Sequence, residues 1–153
     1  MTLTIAATAF KPGGSIPRAF TADGKDASPA LSWQNPPAGT QAFALICDDP
    51  DAPVGTWVHW VIWNLPAAAK GLSEGVQTVK TLADGSAQGK NDFGRIGYGG
   101  PSPPPGKPHR YFFRLYALKE KLSLPAGATR RELDRAMQGK ILGSAEVFGT
   151  YGR

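Results

Sequence analysis

The chain has 153 residues, 41% of them hydrophobic, and a formal net charge of +5. That length fits a single domain, residues 1–153, which buries roughly 70% of its extended-chain surface and so has a core without disulfide or metal staples. Four tryptophans and the apolar fraction exclude a disordered chain, and basic residues scattered from Lys11 to Arg153 give no arginine-rich arm for nucleic acid. No window approaches the ~18 apolar residues of a membrane span.

Nineteen glycines and fourteen prolines belong in turns and long loops, which points to a β-rich protein. Cys47 is the only cysteine, so no intrachain disulfide forms, and the opening MTLTIAATAFKPGG lacks a basic segment followed by an apolar run. A cytoplasmic location is the expectation. Residues 2–10 begin with the alternation TLTI of a half-exposed strand; KPGGSIP and ADGKDASP are turn sequences; ALSWQNPPAGT is a short strand ended at Asn35-Pro36-Pro37. QAFALIC, residues 41–47, is apolar at both parities, as in a central strand, and leads straight into Asp48-Asp49-Pro50-Asp51.

The prolines at 50 and 53 stiffen that turn and push the residues before them out of the α region. WVHWVIWNL then reads as a strand buried on both faces, with His59 on the face of Trp57, Val61 and Trp63 by the two-residue period. Residues 66–108 show little periodicity, and a loop of that length in a compact domain is commonly functional. Within it, Tyr98-Gly99-Gly100-Pro101 has the composition of a backbone nest for an anion, with plain coil as the alternative. HRYFFRLYAL, residues 109–118, is a third strong strand, with His109, Tyr111, Phe113 and Leu115 on one face. Thr129-Arg130-Arg131-Glu132 matches a capping box, predicting a short helix with Leu133, Ala136 and Met137 at helical spacing and Gly139 as its stop. ILGSAEVFGTYGR reads as a closing strand.

Two histidines, Asp49, Asp51 and Tyr111 form the one polar constellation among these apolar strands, and each also has a purely structural explanation. The HxH, HxxxH and HExxH spacings of metal sites are absent. There is no G-x-S-x-G elbow behind Ser102, Cys47 reads as buried and inert, and GRIGYGG does not fit a dinucleotide fingerprint. Asp49 and Asp51, two apart on one turn, are poorly placed to flank a glycosidic bond. What remains is a small site in which imidazoles and loop amides face a phosphate while the carboxylates face a cation or hold an imidazolium, with the histidine pKa values raised by the acids.

DDPDAPVGTWVHW, YGGPSPPPGKPHRYFFRLYAL and AEVFGTYGR together resemble the phosphatidylethanolamine-binding protein family, in its compact bacterial and archaeal Raf kinase inhibitor-like branch; Ile16-Pro17, Asp23-Gly24, Ser28-Pro29 and Leu31-Ser32-Trp33 extend the resemblance. It implies a mainly β fold, an antiparallel β-sandwich with one or two short peripheral helices and an anion pocket at one end. Pocket roles carry over to Asp49, Asp51, Pro53, Trp57, His59, Gly100, Pro101, His109 and Tyr111. The implied function is binding of a phosphate headgroup or another phosphorylated or zwitterionic ligand, without catalysis, cofactor or metal. Inhibition of a kinase or protease is the alternative, a low-activity hydrolase a third, and a homodimer is a further option. The chain departs from the branch in carrying Ser102 where cysteine is usual, and from eukaryotic members in lacking a C-terminal helix after Gly149-Thr150-Tyr151. Headgroup binding is therefore expected over binding of a whole phospholipid.

Overall fold

The computed structural model describes residues 1–153. Its elements in chain order are β1 (Thr4–Ala7), a 3-10 turn at Arg18–Phe20, β2 (Leu31–Gln34), β3 (Ala42–Asp49), β4 (Trp57–Pro66), β5 (Gly71–Leu72), β6 (Ala87–Gln88), β7 (His109–Leu118), α1 (Arg130–Met137) and β8 (Ile141–Tyr151). They form a three-stranded sheet, β1-β2-β5, and a five-stranded sheet, β6-β4-β3-β7-β8, with every strand pair antiparallel. The fold is the expected antiparallel β-sandwich with one peripheral helix.

The sequence of β3 explains why the layers stack as they do. All eight of its residues are buried, because the large sheet is covered on both sides. Phe43 and Leu45 face the cluster shared with Ile5, Leu31 and Trp33 of the small sheet and with Trp60, Ile62, Phe113 and Leu115. Ala44 and Ile46 face the other way, into a cluster with Val61, Trp63 and Leu118 that is closed by Leu133 and Met137 of α1. Each large apolar side chain buried in this way stabilises the fold by roughly 1.5–3 kcal/mol.

The helix is short, so its ends matter. Thr129 accepts the amide of Glu132, and Glu132 Oε1 accepts the amide of Thr129 at 3.0 Å, completing the capping box. At the other end Gly139 takes a positive φ of 75°, as a residue just past a helix should. Leu133 and Met137, four residues apart, bury the inner face. No helix is long and apolar enough to cross a membrane.

One expectation about β4 is corrected. The register runs Asp48 to Val58 and then Cys47 to Trp60, so the pairing shifts at His59. A bulge of this kind breaks the two-residue alternation. Val58, Val61 and Trp63 consequently lie in the helix-side cluster, while Trp60 joins the inter-sheet core and His59 packs edge-to-face on Tyr111 of that same core. His59 does not share a face with Val61 and Trp63.

The outer edge of β8 is partly covered. Gly13 donates its amide to the Phe148 carbonyl at 2.7 Å, Thr150 donates to Gly14 and Ile16 to Thr150, each at 2.8 Å, which satisfies backbone groups that an open edge would expose.

Candidate functional site

The last residue of β3, the first residues of β4 and the first of β7 meet at one end of the large sheet, where the Asp-Pro turn and the glycine-proline loop join them. They enclose a pocket of about 220 Å³ lined by Asp49, Trp57, His59, His109 and Tyr111, with Ala52, Pro53, Val54, Phe93, Ser102, Pro103 and Pro104 around its mouth and walls.

Asp49, 3% exposed, is used twice. Its Oδ1 accepts the amide of Asp51 at 2.8 Å, which closes the turn, and its Oδ2 accepts from His109 Nδ1 at 2.7 Å. His59, 2% exposed, donates Nδ1–H to the Gly99 carbonyl at 2.6 Å; a carbonyl only accepts, so this contact fixes which ring nitrogen carries the hydrogen. Burial pushes the His59 pKa below its ordinary value, and this outweighs the opposite pull of the Gly99 carbonyl, Asp49, Asp92 and Asp26. The expectation that neighbouring acids raise it is overturned there, because desolvation of an imidazolium at the bulge is the larger effect.

Tyr111 is fully buried, and burial raises its pKa, so its hydroxyl stays protonated. Its OH and the Trp57 Nε1 are the two buried side-chain polar atoms with no protein partner. An unpaired buried donor costs about 1–3 kcal/mol. Both residues line the pocket, but these two atoms are enclosed behind its surface.

Asp51, Gly100 and Pro101 do not line this pocket. The Asp51 carboxylate takes the Arg110 amide at 3.0 Å and the guanidinium at 2.9 Å through both Nε and Nη2, and these contacts hold its pKa at about 2. It lines a neighbouring depression with Lys107, Arg110 and Pro105, which meets the pocket at His109 and Pro104. The amides of the Gly-Gly pair are also committed: Gly99 donates to the His59 carbonyl at 2.9 Å and Gly100 to Asp26 Oδ1 at 2.6 Å, while the Pro101 carbonyl accepts from Ala22. The loop is therefore not an open nest. Gly100 is small for packing reasons, since a Cβ there would sit 2.6 Å from the Phe20 carbonyl oxygen.

Phe93 was not signalled by the sequence reading. It lies edge-on to both Trp57 and His59, at 5.5 and 5.4 Å between ring centroids, on a turn in which the Asn91 side chain accepts the amides of Phe93 and Arg95. The N-D-F-G composition of that turn was its one local signal. Ser102 sits at the opposite wall, 3.3 Å from Nη2 of Arg153, which also bonds the Pro103 carbonyl and Asp23. Tyr151 OH donates to the same Asp23 carboxylate at 2.6 Å. No group of three or more His, Cys, Asp or Glu side chains is arranged to hold a metal ion.

The fold and the site define a β-sandwich protein with a small end pocket whose floor is polar and whose rim is apolar. Comparison with known proteins names the family. The family description Phosphatidylethanolamine-binding protein matches residues 6–152. A UPF0098 protein of Aquifex aeolicus is 50% identical over 146 residues, covering 94% of this chain and 85% of the relative. One of Methanothermobacter thermautotrophicus is 51% identical over 145 residues, with 95% of each chain covered. Among solved structures, the phosphatidylethanolamine-binding protein homolog CT736 of Chlamydia trachomatis superposes with a TM-score of 0.91 at 37% identity, covering 99% of this chain and 98% of that one. E. coli YbcL, described as a member of the mammalian family, gives 0.91 at 30% identity over 100% and 99% of the two chains. The chain belongs to the phosphatidylethanolamine-binding protein family.

Proposed function

We propose that this protein binds a small phosphate-bearing ligand, the headgroup of phosphatidylethanolamine or another phosphorylated compound, in the pocket between Asp49, Trp57, His59, His109 and Tyr111. The observation that carries this reading is the pair of histidines lining the pocket, each anchored through Nδ1, His59 on the Gly99 carbonyl and His109 on Asp49, which leaves the Nε2 of each for a ligand. Family membership supports it as well. A volume of about 220 Å³ suits a headgroup and leaves acyl chains outside. The carboxylates act on the protein, orienting His109 and securing the turn, and are not the cation site that a zwitterion would require. Binding occurs without turnover. The test is calorimetric titration with phosphoethanolamine alongside an assay for released phosphate: saturable binding weakened in His109→Ala and no release is the expected result.

A second reading has its own observation. Val54, 82% exposed, and Phe93, 36% exposed, are apolar side chains standing at the pocket. Such a rim suits contact with a partner protein, an inhibited kinase or protease. Competition between phosphoethanolamine and that partner would place the contact at the pocket mouth.

A further inference from the structure

The two histidines of the pocket carry different anchors, and the anchors give them opposite hydrogen-bonding characters. His109 holds Nδ1 against the Asp49 carboxylate, a charge that balances an imidazolium, so its Nε2 can carry a hydrogen toward an anion. His59 donates Nδ1–H to the neutral Gly99 carbonyl at the β4 bulge. A neutral ring with its hydrogen on Nδ1 presents a lone pair at Nε2. That nitrogen has no protein partner and is not among the enclosed unpartnered atoms, so it opens on the pocket that His59 lines. The pocket thus has a fixed acceptor that is not a carboxylate, for both oxygens of Asp49 are taken, by the Asp51 amide and by His109.

The surroundings of that acceptor suit a cation. Phe93 meets His59 at 69° and Trp57 at 71°, and Tyr111 meets His59 at 80°, so aromatic rings stand nearly at right angles to one another around this part of the wall. Ring faces attract cations. Phe93 already takes one, the guanidinium of Arg95 at 5.3 Å from its centroid, a charge that Asp26 offsets at 3.9 Å. Asp49 from the end of β3, Asp92 from the turn beside β4 and Asp26 from the turn before β2 all favour positive charge at His59, yet burial keeps the ring itself neutral against them. Tyr111 and His109 of β7 are the other titratable groups lining the pocket with it. The positive charge that these acids favour is left to the ligand.

Resting on the reading of this pocket as a phosphate site, we propose that the two histidines divide a zwitterion between them: a primary ammonium donates to His59 Nε2 among the rings of Phe93, Trp57 and Tyr111, and the phosphate on the same short chain accepts from His109 Nε2. The imidazoles flank Tyr111, at 5.2 and 6.4 Å between ring centroids, which suits a short linker. Phosphate monoesters and diesters both fit, because the selecting group is the amine. A quaternary ammonium keeps the charge but has no N–H to give, and it leaves the His59 lone pair unpaired against a desolvated wall. A simple alkyl phosphate lacks the charge as well.

The experiment titrates the protein calorimetrically with phosphoethanolamine, phosphocholine and ethyl phosphate, and with glycerophosphoethanolamine and glycerophosphocholine, while following the ring nitrogens of both histidines by NMR. Phosphoethanolamine should bind about tenfold or more tighter than phosphocholine or ethyl phosphate, the worth of one hydrogen bond to a charged group. His59 should keep its hydrogen on Nδ1, with an Nε2 signal that moves on binding of phosphoethanolamine and not of ethyl phosphate, whereas the Nε2 signal of His109 should move with both. The diesters report the source of the ligand: glycerophosphoethanolamine bound at least as well as phosphoethanolamine points to a lipid headgroup, weaker binding to a free monoester, and in either case it should outbind glycerophosphocholine. Equal binding of phosphocholine or ethyl phosphate, a hydrogen on Nε2 of His59 in the free protein, or an Nε2 signal indifferent to the amine overturns the inference and leaves the phosphate-site reading standing. Failure of every ligand to bind removes that reading and the inference with it.

Discussion

The Asp49 carboxylate and the His109 imidazole stand 2.7 Å apart at the ends of the adjacent strands β3 and β7, both nearly inaccessible to solvent. Asp49→Ala should leave Nδ1 of a buried imidazole unpaired and destabilise the protein by about 1–3 kcal/mol, read by urea denaturation. His109→Ala should instead act on the ligand, weakening phosphate binding by about 1.5–3 kcal/mol, the range for hydrogen bonds to charged groups. Equal affinity for phosphate in His109→Ala and the parent would take His109 out of the site.

Asp48, one residue earlier, faces the opposite side of the sheet and is 1% exposed. It accepts from Arg114 Nη2 at 3.0 Å and Arg130 Nη1 at 2.7 Å, tying α1 to β7. Removing the carboxylate leaves two partly buried guanidiniums facing each other. Asp48→Ala should cost about 3–5 kcal/mol, the range for breaking a buried ion pair from one side, while leaving phosphate affinity unchanged at temperatures where the protein is folded.

Acid should destabilise the fold in two separable steps. The His59 pKa is lowered on folding, so the stability linked to its neutral form is fully present above the unfolded value of ~6.5 and is lost as pH falls through the lower folded value. The Asp51 pKa is lowered to about 2 by Arg110, so its contribution is present above ~3.9 and is lost as pH falls through about 2. Melting temperatures measured from pH ~7 to ~2 should show both; Asp23, held at about 2 by Arg153 and Tyr151, contributes to the same lower step, so Arg110→Ala should shrink that step without abolishing it.

Gly100→Ala separates packing from ligand contact. The added Cβ would meet the Phe20 carbonyl oxygen at 2.6 Å and Thr21 Cα at 2.9 Å, backbone that cannot swing aside. Overpacking of this kind costs about 1–3 kcal/mol and should lower thermal stability. An unchanged melting temperature with weakened phosphate binding would return Gly100 to the ligand.

The sequence was most informative where chemistry is local. The Thr129–Glu132 box and the doubly buried β3 follow from neighbours in the chain, whereas the meeting of Asp49 with His109, 60 residues on, is implied by the family resemblance. The face of His59 follows from neither, because a single extra residue between Cys47 and Asp48 pairing reverses the alternation and no residue type marks the bulge. Composition alone does not decide between nest and plain coil in the glycine loop. Its amides are claimed by partners 40 residues away at His59 and 74 away at Asp26, and such long-range competition leaves no trace in the loop's own composition. Asp51, which the resemblance carries to the pocket, gives both oxygens to Arg110, the residue after His109.

Tyr151 and Arg153 line no part of the pocket, yet through Asp23, Ser102 and the Pro103 carbonyl they lash the last residues of the chain to the N-terminal turn and to the proline wall. The pocket wall is therefore propped from behind by Arg153. A change at Arg153 can alter what the pocket holds without touching a single residue that lines it.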